Sequence, residues 1–456
     1  MKKGNCKLKS KKTEIRFWWE RILRVVLFVV FGVTALSARS ISPSGANYQA
    51  FNGRIVKDII IVGNEHTRPE VIRRELLLKS GQVFSDSLLK ESKRRLENLW
   101  LFNRVQFIPF ATSAKSDSVS IIVSLTERWY FFPFPVIQVQ DRDWNKITYG
   151  FGFAHTNFRG WNEKLVASLQ FGNRPGVKFS YLNPWIGERL HLFTGFYFRT
   201  FRLNNYSYDF PEKHVYSVVH FGKYWTRDFF TEISFLRDQI TVDAEDAHYM
   251  ATNSTRDVNY GLTLRSLMDY RDLYAYPSRG WYLNIQISKM GLFEPELNYM
   301  RYYFDFRKYI NIKPFILAGR IFTIQTQGKL PVYDRVYIGY SERIRGHFNE
   351  VYAGNHAFIL GAAVRMPVIP VRYYTFDSQL LPAVMTTNIK FGMNVGIFME
   401  SGQVTRTRKQ FAIRKMVTGF GAGVHFLLPY VEVLRIDLAF NEKWQHQFIV
   451  EILMPF

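Results

Sequence analysis

Hydrophobic and polar residues alternate with a period of two through most of the last 330 or so positions of this 456-residue chain. In one segment Trp281, Leu283, Ile285 and Ile287 oppose Tyr282, Asn284, Gln286 and Ser288. In another, Leu434, Ile436, Leu438 and Phe440 oppose Arg435, Asp437 and Asn441. Successive side chains of a strand point to opposite faces, so this period predicts strands with one apolar and one polar face. Sixteen such segments begin near residues 129, 147, 163, 174, 189, 214, 229, 258, 280, 298, 314, 357, 388, 416, 433 and 446. Fourteen or eighteen strands would satisfy the same spacing. Apolar faces turned to lipid and polar faces turned to a wet lumen demand a closed sheet, because an open edge would leave backbone groups unpaired in hydrocarbon. The expected fold is mostly β, a 16-stranded antiparallel transmembrane β-barrel over residues 128–456. A soluble β-sandwich or propeller is the competing reading, and the apolar outward faces count against it.

Residues 54–127 follow another pattern. Strand-like runs at 54–62, 105–110 and 119–125 flank two helical segments, giving a small α+β unit of order βααββ. Thr67-Arg68-Pro69-Glu70 has the form of a capping box opening a helix to about Lys79, with Gly81 beyond its end. Ser85 is placed to cap a second helix, whose buried stripe would be Leu88, Leu89, Leu96 and Leu99.

The N-terminus bears on compartment. Met1–Arg24 carries nine Lys or Arg, and 25–36 is the apolar run VVLFVVFGVTAL. Small residues follow, so 1–38 reads as a signal peptide, with an uncleaved anchor as the alternative. Residues 39–53 are small and polar, and read as a linker. Cys6, the single cysteine, precedes the apolar run and would leave with it, which removes disulfides and cysteine–metal chemistry.

Composition narrows the function classes. The 41 Phe, 26 Tyr and 10 Trp exceed what a soluble core needs. Near strand ends, at Trp129, Phe132, Trp281, Tyr302, Tyr303 and Phe456, they would form interfacial girdles. A mean hydropathy of −0.13 argues against a polytopic helical membrane protein. The net charge of +22 falls once residues 1–40 are set aside, leaving 50 basic and 36 acidic residues spread along the chain. Such a surplus suits lipopolysaccharide phosphates or anionic headgroups rather than nucleic acid. No H-E-x-x-H, G-x-S-x-G or Walker sequence occurs, so a non-enzyme with no cofactor and no metal is expected. Gly419-x-Gly421-x-Gly423 reads as relief of crowding inside the barrel and not as a nucleotide loop.

Two sets of motifs carry a resemblance. Ile60-x-Val62-Gly63-Asn64-Glu65-His66-Thr67, Arg73-Arg74-Glu75-Leu76, 79–85 (KSGQVFS) and 99–105 (LWLFNRV) together resemble a POTRA (polypeptide-transport-associated) domain, here in one copy. In the barrel, Ile344-Arg345-Gly346-His347 resembles the (V/I)RG(F/Y) loop of the BamA/TamA-like surface-antigen family, with His347 where an aromatic is usual. Phe398-x-Glu400-x-Gly402 is similar to that family's F-x-D-x-G strand motif, with Glu for Asp. Asp269-Tyr270-Arg271-Asp272, followed by Pro277 and Gly280, matches its D-x-R-D…P-x-x-G turn. Phe398 and Glu400 fall on the lumen face, so a loop folded inward could bring the Arg345 guanidinium to the Glu400 carboxylate as a bidentate pair. Barrel closure sets the first strand against the last. Pro133 and Pro135 in the first, and Pro455 beside the terminal Phe456 in the last, would thin the hydrogen bonding of that lateral seam.

The resemblance implies a bacterial outer-membrane location with the POTRA domain in the periplasm. It further implies a role in inserting unfolded polypeptide into, or moving it across, the outer membrane. Implied partners are unfolded outer-membrane or secreted polypeptides, outer-membrane lipids including lipopolysaccharide, and accessory periplasmic or lipoprotein subunits. A dedicated secretion transporter for one partner and a porin-like channel are the alternatives.

Overall fold

A computed structural model describes residues 39–41, 48–111, 117–139, 147–187, 190–375, 382–429 and 432–452. The expected signal peptide, Cys6, Pro455 and Phe456 lie outside them. No helix among the described residues is long and apolar enough to cross a membrane.

Within the stretch read as a linker, β1 (Arg39–Ile41) is a short strand and Tyr48–Phe51 a 3-10 turn. The small domain comprises β2 (Ile55–Val62), α1 (Pro69–Arg73), α2 (Asp86–Asn98), β3 (Phe102–Phe110) and β4 (Ser118–Glu127). β4 is central, parallel to β2 and antiparallel to β3. Val56, Val71, Ile72, Leu89, Leu96, Val119 and Val123 are fully enclosed between sheet and helices, in a core that Tyr130 joins from the barrel side.

Four local expectations are corrected here. The first helix ends at Arg73 and not near Lys79. Its N-cap is Arg68, with no side-chain cap bond, because the Thr67 hydroxyl is taken by Tyr130 at 3.0 Å and by the Asn157 amide at 3.0 Å. Ser85 stands at the second N-cap, but its hydroxyl pairs with Ser87 Oγ at 2.8 Å and caps no backbone N–H, while Asn52 Oδ1 meets the Asp86 N–H at 2.9 Å. Leu88 is exposed and Ser92 takes its place in the buried stripe, bonding the Leu77 N–H. Tertiary partners outcompete local capping at the first helix start, and a neighbouring hydroxyl does so at the second.

The barrel begins with β5 (Phe131–Val139), β6 (Ile147–Phe158), β7 (Glu163–Gly172), β8 (Gly176–Ile186), β9 (Leu192–Asn204) and β10 (Pro211–Thr226). It continues with β11 (Phe229–Thr241), β12 (Arg256–Asp269), β13 (Gly280–Met290), β14 (Tyr299–Ile312) and β15 (Phe315–Gly328). A long connection containing the hairpin β16 (Val336–Ile338) and β17 (Tyr352–Gly354) precedes β18 (His356–Thr375), β19 (Ile389–Thr405), β20 (Val417–Leu428), β21 (Glu432–Asn441) and β22 (His446–Ile452). With the hairpin set aside, these are sixteen antiparallel strands, the number the period-two segments predict. Each pairs with its chain neighbour, and β15 pairs with β18 across the hairpin.

Burial is inverted relative to a soluble sheet, as a lipid-facing wall requires. Leu264, Ile287, Ile397 and Phe448 are exposed on the outside, whereas Asp305, Arg365, Arg435 and Asp437 are enclosed in the lumen. β1 pairs with Tyr373–Thr375 at the end of β18, alongside a stretch that β15 does not reach.

The small domain packs across one rim of the barrel, here the proximal rim. The Arg68 N–H donates to Gly160 O at 3.0 Å in the β6–β7 turn. Arg74 lies 4.9 Å above the Trp185 ring in β8. Arg227 in the β10–β11 turn donates to Glu75 at 2.8 Å and to the Arg95 carbonyl at 3.2 Å. Asn98 at the end of α2 bonds both Asp272 O and the Tyr274 N–H, each at 3.2 Å. On the far side, Asn388 bonds Arg104 and Thr126, at 2.9 Å in each case. The domain thus reaches turns on opposite sides of the mouth.

Arg227→Ala should leave Glu75 and the Arg95 carbonyl without their donor and weaken docking by about 1–3 kcal/mol. Hydrogen exchange should rise in α2 while the barrel ladders stay protected. Unchanged exchange in α2 would show that this contact does not hold the domain.

Candidate functional site

The β16–β17 connection folds into the lumen and is clamped there. Arg345 is almost fully buried. It donates through Nε at 2.9 Å and Nη2 at 2.5 Å to Glu400 Oε1, and its backbone N–H takes Glu400 Oε2 at 2.9 Å. Nη1 reaches Asp437 Oδ2 at 3.2 Å. The guanidinium carbon lies 3.5 Å from the centroid of the Phe398 ring, so the cation is held between two carboxylates and an aromatic face. The pairing expected as a two-oxygen fork is therefore a three-donor grip on Glu400 plus a second acid.

Neighbouring residues fix the same loop. Glu342 accepts from Arg320 of β15 at 2.8 Å, and Arg320 also bonds Asp305 of β14. Ile344 is buried with Phe322, Val336, Ile338, Ala357 and Ile359 in an apolar cluster inside the barrel. His347 bonds Glu442 in the β21–β22 turn at 2.8 Å and approaches Glu350 at 3.1 Å, a polar role that accounts for a histidine where an aromatic is usual. Burial pushes the Glu442 carboxyl up. The Thr418 N–H and the His347 imidazole outweigh burial and hold it below the usual carboxylate range.

The glycines make room for this loop. Gly346 has φ +95°, a left-handed conformation that favours glycine. A Cβ on Gly419 would stand 1.5 Å from Arg345 O, one on Gly421 2.9 Å from Phe398 Cζ, and one on Gly423 1.8 Å from Asp437 Oδ1. On Gly402 it would meet Ile344 Cδ1 at 2.8 Å. Each missing side chain leaves space for one part of the clamp.

A second element enters from the proximal rim. Within the 270–279 turn, Arg271 forms a two-point pair with Asp269, and Asp272 accepts the Ser278 N–H at 2.8 Å, so the D-x-R-D motif shapes the turn itself. The turn crosses to the opposite wall. There the Tyr276 hydroxyl meets His425 Nδ1 at 2.9 Å, and Pro277 O accepts from Arg365 at 2.5 Å. His425 Nε2 lies 3.6 Å from Asp437 Oδ1, linking this turn to the acid that binds Arg345. Period two places Asp437 on the lumen face, but nothing in its local sequence marks it as a partner of Arg345. Arg435 and Glu451, bonded to each other beside Asp437, escape sequence reasoning for the same reason.

At the seam, the Tyr130 carbonyl accepts from Thr156 N–H at the start of β6. The two-residue period then turns the backbone donors of residues 131, 133, 135 and 137 away from β6, toward the β22 side. Pro133 and Pro135 therefore remove donors from the seam edge and leave the β5–β6 ladder intact. Among the described residues no ladder register pairs β5 with β22.

Comparison with known families decides the assignment. The Omp85 superfamily domain matches residues 157–449, and the POTRA family described as surface antigen variable number repeat matches 55–128. This chain belongs to the Omp85 superfamily. It is BamA/TamA-like, with a single POTRA domain, and is a bacterial outer-membrane protein whose POTRA domain lies in the periplasm. The proximal rim is accordingly periplasmic and the distal rim faces the exterior. The chain is 42% identical over 73 residues to the outer membrane protein assembly factor BamA of Neisseria meningitidis, covering 16% of this chain and 9% of that protein. It is 28% identical over 129 residues to the outer envelope protein 80, chloroplastic, of rice, covering 26% of this chain and 19% of that protein. The matches thus span less than a fifth of the length of either relative. Among solved structures, CdiB from Escherichia coli aligns with a TM-score of 0.53 at 9% identity, covering 89% of this chain and 75% of that one, a likeness of fold. BamA from Haemophilus ducreyi lacking POTRA domains 1-3 aligns at 0.49 and 16% identity, covering 88% and 83%.

Arg345→Ala should cost roughly 3–5 kcal/mol, because it strands Glu400 in an enclosed site and removes one of the cations from Asp437, which keeps Arg435. Adding Glu400→Ala should cost little more than the single change, and Gly419→Ala should mimic it by displacing the loop. Thermal unfolding of the folded barrel reads all three. Strict additivity of the Arg345 and Glu400 changes would show that the pair is not coupled.

Proposed function

We propose that this Omp85 protein receives unfolded polypeptide at its periplasmic POTRA domain and inserts it into, or moves it across, the outer membrane, without enzymatic chemistry. The observation that carries this reading is the β5 edge at the seam. Two of its donors are missing beside a wall whose other junctions are laddered throughout. A junction with few backbone bonds parts at low cost, and the exposed strand edge then templates an incoming strand by main-chain pairing, which tolerates many side-chain sequences. In this reading the POTRA domain, docked on the same mouth with β2 and β3 as the outer strands of its sheet, delivers such a segment. A porin-like channel fits less well, because a clamped loop and a cross-lumen turn both occupy the bore. A dedicated transporter for one secreted partner is the alternative reading. Accessory periplasmic or lipoprotein subunits and outer-membrane lipids, including lipopolysaccharide phosphates, complete the proposed partners.

Cysteine pairs introduced between β5 and β22 in a Cys6→Ser background should block insertion of an unfolded barrel client into proteoliposomes when oxidised, and reduction should restore it. Full activity with the seam quantitatively cross-linked would exclude lateral opening. Deleting residues 54–127 should leave the barrel embedded and abolish client insertion, and activity that survives the deletion would overturn the receiving role. Depletion followed by outer-membrane proteomics separates a general insertase, which loses many barrel proteins, from a dedicated transporter, which loses one.

A further inference from the structure

The connection from β19 to β20, on the exterior rim, reads RTRKQFAIRKM over 406–416. Arg406, Arg408, Lys409, Arg414 and Lys415 are five cations in ten residues with no acid among them, and all five are exposed. None of the five enters an ion pair among the described residues. The segment has a defined shape. Thr407 and Gln410 form a capping box, and Gln410 Oε1 accepts the Arg406 and Thr407 N–H groups at 3.1 Å each.

Its direction is decided by two contacts. The Phe411 ring meets Phe358 edge-on at 5.4 Å, and the Ala412 N–H donates to Gln403 Oε1 at 3.1 Å. Phe358 and Gln403 are cross-strand partners on β18 and β19. They alternate with the lumen-facing Ala357, Ile359 and Gly402, so both stand on the lipid face of the wall. The loop therefore folds down over the outside of the barrel and does not cover the lumen. It leaves Ile413 79% and Phe411 43% exposed at that level. The neighbouring β21–β22 turn does the same. Trp444, 71% exposed, packs at 5.1 Å on Phe420 and 5.9 Å on Phe440, both on the lipid face. Lys443 sits beside it.

An apolar tip lying against the lipid wall, flanked on both sides by exposed cations without an ion pair among the described residues, is the pattern of an interfacial anchor for an anionic surface. We propose that the 406–416 loop, with Trp444, seats in the outer leaflet and binds the phosphate groups of its glycolipid. Phe411 and Ile413 enter the acyl boundary, while the arginines and lysines hold headgroup phosphates, bidentately where the donor is arginine. The patch lies above β18 to β22, so it fixes one flank of the seam to the membrane. The inference rests on the lipid contact proposed above and is independent of client insertion.

The test places an environment-sensitive fluorophore at Ile413→Cys in a full-length Cys6→Ser chain, in nanodiscs of three compositions. These contain phosphatidylcholine with lipid A, with dephosphorylated lipid A, or alone, each with a shallow nitroxide-labelled lipid as quencher. In lipid A discs the probe should emit blue-shifted and be quenched. Both effects should weaken in the other two discs, and should weaken in lipid A discs when the five cations are changed to Gln, the insertion equilibrium falling about fivefold per cation. A probe at Asn253, on the exposed β11–β12 connection, gives the water-exposed reference. Emission at 413 matching that reference in all three discs would overturn the anchor. Equal quenching in all three would overturn the phosphate recognition. Retained migration of unheated samples as folded barrels verifies each variant, and a client-insertion assay on the same proteins reads the assembly function separately.

Discussion

A guanidinium enclosed in a membrane barrel has to be neutralised where it sits, and Arg345 organises the lumen around that requirement. Its charge can sit inside because Glu400 and Asp437 stand on the facing wall. Those acids in turn are tolerable in the lumen because a cation and backbone N–H groups meet them. Arg435 and His425 gather around Asp437, Arg320 and Asp305 around Glu342, and the glycines of β20 clear the volume in which this happens. The interior is thus a set of shared ions and not a series of separate bridges, and removal of one member leaves several others uncompensated.

The fold was legible in the sequence to the extent that its determinants are periodic. Sixteen strands emerged because a wall between lipid and a wet lumen enforces alternation at every residue, and turn residues interrupt it at regular intervals. Arg345 and Glu400 were found together because motif resemblance named the pair and period two turned Glu400 inward. Asp437 carried the same inward parity without a motif, and parity alone does not say which strand a side chain meets across a lumen. The crossing of the 270–279 turn was illegible for a similar reason. Its acids are explained locally by the bonds of Asp269 and Asp272, while the reach of Tyr276 to His425 spans 149 positions. In the POTRA domain, Thr67 and Ser85 show the opposite error. The local capping signal is present, but Tyr130 and Asn157 take the Thr67 hydroxyl and Ser87 takes that of Ser85.

The exterior loop at 406–416 and the clamped loop at 339–355 illustrate how similar connections take opposite courses. One has its apolar side chain, Ile344, followed at once by an arginine that finds acids inside. The other has Phe411 and Ile413 flanked by cations that find none, and it turns outward onto Phe358. The distribution of carboxylates on the wall, and not loop length, sorts the two.

The turn carrying Tyr276 and the loop carrying Arg345 approach from opposite mouths and meet, through His425 and Asp437, near one stretch of β20 and β21. Any body travelling along the barrel axis would have to dislodge both and break the ionic junction between them. A segment departing through the β5–β22 boundary, the route proposed above, would leave both in place so long as β22 stays with β21, since Gln447 and Glu451 of β22 bond Phe348 and Arg435. On the proposed lateral route the lumen would serve as a rigid former that keeps the remaining staves in place while one joint parts.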